Sequence, residues 1–222
     1  MSEASKIGIL GAIVAVLALT GPAQIAVAGA DAIVQAVERG DVQQLKAALD
    51  ARADPNAPTV GDAPLTVAIR RGDAEMVKAL LAARADPDAH KKDADPPVVL
   101  AVDRGDQRLL ELLLTAGANA NANSIEGKAA IVDAIERGGD EMATLLLRHG
   151  ASPNRSDEVG RSALELAVTR GDDEVVKLLL HYGARIRVCG AGNCFDAAAE
   201  ARARGDSQLT SYIEAVARTR TE

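Results

Sequence analysis

Cys189 and Cys194 are the only cysteines, and four residues separate them. Three chemistries compete for such a pair. A thioredoxin-like redox site needs two intervening residues and a strand–helix–strand context, and neither is present. A metal centre needs further ligands nearby, and the surrounding residues supply none. A structural disulfide needs only two Cα atoms within bridging distance and an oxidising compartment. The three histidines, His90, His149 and His181, are scattered. His149 and His181 each precede a Gly near a helix end, and His90 opens the charged run His90-Lys91-Lys92-Asp93. No nucleophile–base pair, metal cluster or Gly-rich phosphate loop can be assembled from these residues. The reading is a non-enzyme with no catalytic residue, no metal and no cofactor.

The elements that position these residues follow from periodicity. Arg-Gly recurs at Gly40, Gly72, Gly105, Gly138, Gly171 and Gly205, at spacings of 32, 33, 33, 33 and 34. Upstream of each turn lies a short Ala-containing helix, as in APLTVAIRRG and SALELAVTRG. Downstream lies a Leu-rich helix and an extended tail, as in DQRLLELLLTAGANAN. Leu80, Leu81, Leu113, Leu114, Leu146, Leu147, Leu179 and Leu180 form the apolar stripe of the second helices. Ala68, Ala101, Ala134 and Ala167 stand where first helices must approach closely. A single helix pair cannot bury its apolar face, so neighbours must stack. The composition agrees: two Tyr, one Phe and no Trp build thin layers of Ala, Leu and Val and no thick core.

Period, Gly turn and tails such as GANAN, GASPN and RADPN together resemble the ankyrin repeat, from about Asp31 to the C-terminus. The resemblance implies an all-α solenoid of stacked helix-turn-helix units with extended hairpin-like tips. The expected division is a half-repeat at 31–56, full repeats at about 57–88, 89–121, 122–154 and 155–187, and a cap at 195–222. It also implies a protein-binding scaffold whose first helices and tips line a concave face. On that geometry the candidate contacts are His90, Lys91, Lys92, Ser124, Glu126, Arg155, Asp157 and Glu158 on the tips, with Arg71, Arg104, Arg137 and Arg170 at the first-helix ends. Two readings of the Arg column stand. It is a basic stripe for a partner with an acidic surface, or it complements helix dipoles and neutralises the Asp that follows each Gly. In the second reading that Asp (41, 73, 106, 172 and 206) caps the second helix. The net charge of −7 argues against nucleic acid as partner. A monomeric array is expected.

The sequence departs from the family pattern in two places. Its Thr-Pro-Leu-His stretch survives only as Ala63-Pro64-Leu65-Thr66, so that hydrogen-bond network is in doubt. Arg52 and Arg84 stand where later repeats carry Gly117, Gly150 and Gly183. That position favours a left-handed backbone, at a cost of ~1 kcal/mol for a side chain. The first two repeats are therefore expected to be locally weaker than the next three.

Residues 1–28 read as a secretory signal peptide: a short polar start, an apolar run from Ile7 to Leu19, a break at Gly21-Pro22, and the small-x-small site Ala26-Val27-Ala28. Cleavage after Ala30 fits the same rule. The alternative is an uncleaved anchor that makes the array an accessory subunit of a membrane complex, facing the periplasm. Export implies a periplasmic or secreted protein. In that setting Cys189 and Cys194, flanking the bend of a tip, read as a structural disulfide.

Overall fold

In a computed structural model, residues 22–56, 61–190 and 193–220 are described. The helices gather into two compact units, one up to Asp86 and one from Pro87. The first holds α1 (Pro22–Arg39), α2 (Val42–Asp50), α3 (Pro64–Arg71) and α4 (Ala74–Ala82). The second holds α5 (Pro97–Asp103), α6 (Gln107–Thr115), α7 (Ala130–Glu136), α8 (Asp140–Arg148), α9 (Ala163–Arg170), α10 (Asp173–His181), α11 (Ala197–Ala203) and α12 (Ser207–Thr219). Within each unit, helices pair across the Gly turn, first helices pack on first helices and second helices on second.

The stacking is carried by apolar layers, each worth roughly 25 cal/mol per Å² of area removed from water. Ala68, Ala101, Ala134 and Ala167 have no exposed surface, as close approach of the first helices requires. Of the eight stripe leucines, all are buried except Leu81, which is half-buried. Four of the five expected Asp caps accept from second-helix amides: Asp41, Asp73, Asp106 and Asp206. Asp172 makes no cap bond and instead lies 3.7 Å from Arg170 Nε. Gly139 stands in place of the Asp in one turn, and α8 there has no side-chain cap bond. A Cβ there would stand 2.6 Å from Met142 Cε and 3.1 Å from the Ala134 carbonyl oxygen.

Arg52 and Arg84 are the only non-glycine residues with positive φ among the described residues, at 63° and 66°. The equivalent Gly117, Gly150 and Gly183 adopt φ of 91°, 87° and 89°. The helix-ending geometry is thus kept in the first repeats against the steric preference of a side chain. Arg84→Gly is expected to stabilise the first unit by about 1 kcal/mol, since the left-handed strain disappears while the backbone bonds remain. Amide exchange of α4 should slow in the variant; unchanged or faster exchange would mean that no strain resides at Arg84.

The tips form compact turns, with isolated bridges joining Asn123 to Ala129 and Ser156 to Ser162. The last tip is a hairpin, β1 (Arg187–Gly190) antiparallel to β2 (Asn193–Asp196). Its register sets Cys189 directly opposite Cys194. The half-unit begins earlier than the expected Asp31: α1 starts at Pro22 and runs through both small-residue sites at 26–30. Gly29 in that helix lies so close to α2's trailing turn that a Cβ would stand 3.0 Å from that of Ala53. The apolar run Ile7 to Leu19 lies outside the described residues. No described helix is long and apolar enough to cross a membrane.

Candidate functional site

The Arg column is built into the stack. Arg71 Nη1 donates to the Glu38 carbonyl at 3.0 Å, Arg137 Nη1 to Asp103 at 3.3 Å, and Arg170 Nη1 to Glu136 at 2.6 Å. Arg204 Nη1 does the same to Val168. Each guanidinium thus reaches back one repeat; Arg71, Arg137 and Arg170 satisfy carbonyls that the end of the preceding first helix leaves open, and Arg204 adds a second donor to Val168, which already accepts from Gly171 N at 3.1 Å. The Gly turn makes room for it. A Cβ on Gly40, Gly138 or Gly171 would meet Arg71, Arg170 or Arg204. The arginines therefore do not form an uncommitted basic stripe. Nor do Arg71, Arg137 and Arg204 spend these bonds on their own turns; Arg170 does approach the Asp of its turn, at the 3.7 Å noted above. Arg104 is exposed at the end of α5.

A second column runs through the tails, and of the Thr–His stretch Ser162 keeps a hydroxyl cap, accepting from Glu165 N at 3.1 Å. Asn56, Asn121 and Asn154 each bridge to the next tail. Asn121 Nδ2 donates to Gly150 O at 3.0 Å, and its Oδ1 accepts from Ser152 N at 2.8 Å. Asn56 pairs likewise with Arg84 O and Asp86 N, and Asn154 with Gly183 O and Arg185 N. Asp88 holds the same column position and accepts from Asn119 N at 2.9 Å. A carboxylate has no amide hydrogen to give the facing carbonyl. The recurring Asn in the tails was the sequence signal for this column.

The tips and first helices of the second unit enclose a groove of about 190 Å³. It brings together three of the expected residues, Ser124, Glu126 and Arg137, with Asp95, Asp103, Ile125, Lys128 and Asp133, which sequence reasoning did not select. Arg137 is held there by Asp133 (Nε, 2.8 Å) and Asp103 (Nη2, 2.6 Å). Lys128 Nζ lies 2.8 Å from Glu136 and 3.5 Å from Asp133. Asp95 accepts from Ile125 N at 2.8 Å. Carboxylates outnumber cations in the lining. Burial, then repulsion from Asp133, pushes the Asp103 carboxyl above its ordinary value despite the opposing Arg137. The Glu136 hydrogen bond pushes the Lys128 ammonium up, against the effect of burial. One pattern break announced this groove. At the repeat period, Val67, Leu100 and Leu166 share a column with Asp133, and a 7%-exposed Asp in an apolar column needs charged neighbours.

The other expected contacts divide. Lys91, Lys92, His90, Glu126 and Glu158 are exposed on tips. Asp157 is not available: its side chain is fully buried and accepts from Val159 N, Arg161 N and Arg161 Nε. Burial raises its proton affinity, but those donors together hold its carboxyl below the usual range. Arg155 is half-buried against Asn123 of the preceding tip. Two large apolar residues stand out on the successive tips, Ile125 at 63% exposure and Val159 at 73%.

Family models for ankyrin repeats match residues 33–81 and 98–188, together more than half of the chain. The chain belongs to the ankyrin-repeat family. A crystal structure of an ankyrin repeat domain from Acinetobacter baumannii AYE is similar, with TM-score 0.61 and 29% identity, covering 69% of this chain and 81% of that one. No curated protein matches. Ankyrin repeats form protein-interaction modules and are generally non-catalytic scaffolds.

Proposed function

We propose that this ankyrin array is a non-catalytic binding module whose contact surface is the tip row of the second unit. The partner it fits carries basic and apolar side chains. The observation that carries this reading is the pairing of exposed Ile125 and Val159 with an acid-rich groove between tip and first helix. Apolar residues of this size on adjacent loops are hot-spot material, and the surplus carboxylates steer a cationic segment toward them. The acidic partner expected from the Arg column is less well supported, because those guanidiniums serve the stack. We place the module in the periplasm or outside the cell. The apolar run Ile7 to Leu19, the small-residue sites after it, and the cysteines set opposite one another support that placement.

The test is cross-linking in the native compartment with wild type and an Ile125→Glu, Val159→Glu double variant. The same partner should be captured by wild type and lost from the variant, with melting unchanged. Equal capture by both would move the contact surface elsewhere. The unreduced intact mass of the same material reads the rest. A start at Gly29 or Asp31 and two missing hydrogens mean cleavage and a Cys189–Cys194 bridge; a full-length, fully reduced chain would overturn the placement.

A further inference from the structure

Each tail of the second unit is covered on one side by the tail that follows it. The 150–154 tail is bonded to the 183–187 tail through Asn154, as the 117–121 tail is to it through Asn121. The 183–187 tail has no such cover among the described residues. Helix α10 ends at His181, whereas α12 runs one turn past the equivalent residue, to Thr219. Where a returning tail would lie, a cleft of about 660 Å³ remains open. Its floor is small and apolar, with Ala184, Ala199 and Ala217 among its walls.

The charges in this slot say what segment it fits. Arg187 stands at the column position that Asn121 and Asn154 hold, and is paired with Asp196 through Nε at 2.8 Å. Arg202 is paired with Glu214. Two cations are left over. Arg220 donates to the Ala184 and Leu180 carbonyls, which fixes it in place without cancelling its charge. Arg185 uses only its backbone N–H, bonded to Asn154, and its guanidinium has no carboxylate partner among the described residues. The slot is thus locally positive in a chain of net charge −7. A fixed guanidinium at Arg220 and an exposed one at Arg185, beside an apolar floor, favour a carboxylate on an extended backbone.

We propose that this cleft binds an extended acidic peptide segment of a partner, laid against residues 183–187 as an added tail. Small apolar side chains sit on the alanine floor, and an acidic side chain is held between Arg185 and Arg220. This site is separate from the tip row.

The test uses the full chain and a fluorescein-labelled peptide, acetyl-Gly-Ala-Asp-Val-Asp-Ala-amide, read by anisotropy. The expected result is saturable binding that weakens roughly tenfold or more when both Asp are changed to Asn. Arg185→Glu should lose binding by a similar factor with an unchanged Tm, because only its backbone is used by the fold. Ile125→Glu with Val159→Glu should leave peptide binding intact, which separates this site from the tip row. No binding, equal binding of the Asn peptide, or full binding by Arg185→Glu would overturn the proposal. Displacement by free succinate as effective as by unlabelled peptide would also overturn it, since the site would then read a bare carboxylate and no extended segment.

Discussion

Arg137→Glu is expected to lower the unfolding free energy by about 3 kcal/mol, even though the side chain is half exposed. The wild-type guanidinium bridges two repeats. It bonds Asp133 on its own helix, and both the carbonyl and the carboxylate of Asp103 one repeat back. The reversed charge removes these bonds and sets a fourth carboxylate beside Asp103, Asp133 and Glu136. Arg137→Met removes the bonds without adding repulsion and should cost about 2 kcal/mol. The two variants should diverge with pH in a defined direction. The folded state holds the Asp103 proton more tightly than the unfolded chain, through burial first and Asp133 second. A raised carboxyl of this kind contributes stability that is fully present below its ordinary value of 3.8 and is lost as pH rises through the folded value. The extra penalty of the Glu variant should therefore shrink as pH falls from neutrality toward that value. Chemical denaturation of both variants at neutral and acid pH measures this. Unchanged stability with loss of partner capture would instead make Arg137 a binding residue.

The architecture was legible because it is written in repeated positions. A Gly every 33 residues or so, with helix patterns on either side, admits few other folds, and Arg52 and Arg84 could be assigned left-handed backbone from the glycines that replace them later in the array. What the sequence hid was direction. The Arg before each Gly lies next to the Asp after it along the chain, which suggests a bond across the turn. The stack instead brings a preceding helix end closer to the guanidinium than that Asp, and three-dimensional proximity decides. Asp157 was obscured in a similar way. It reads as an exposed tip acid, yet its backbone turn folds three donors onto its carboxylate. Asp133 was visible as a polar residue in an apolar column, but its value lay in what it faces, and Lys128 and Arg137 reach it from a tip and a helix end. The cleft beside residues 183–187 was not legible at all, because it depends on how far α12 extends past the helix end that the repeat period predicts.

Gly171→Ala supplies the second large effect, and its origin can be isolated by a double-mutant cycle. Gly171 ends α9 with φ of 80°, where a Cβ costs roughly 1 kcal/mol. The same Cβ would also collide with the guanidinium of Arg204, which lies over the turn and donates to Val168. Moving Arg204 aside removes its charge-assisted bond to that carbonyl, which then keeps only the Gly171 amide as donor, for about 1 kcal/mol more. The single variant should thus lose about 2 kcal/mol. In an Arg204→Ala background the second part is already gone, so Gly171→Ala should cost only about 1 kcal/mol. The difference, a coupling of about 1 kcal/mol, is what contacting residues show and distant ones do not. Gly105 provides the control. Its φ is 65°, yet a Cβ there meets nothing within 4 Å, so Gly105→Ala should show the backbone cost alone. If Gly171→Ala cost no more than Gly105→Ala, the next repeat's Arg would have no part in the requirement for Gly, and the Arg-Gly recurrence would reflect turn geometry only. A measured coupling would mean that Gly171 is required in part because it admits the Arg of the next repeat, a contact that Gly40 and Gly138 share and Gly105 does not.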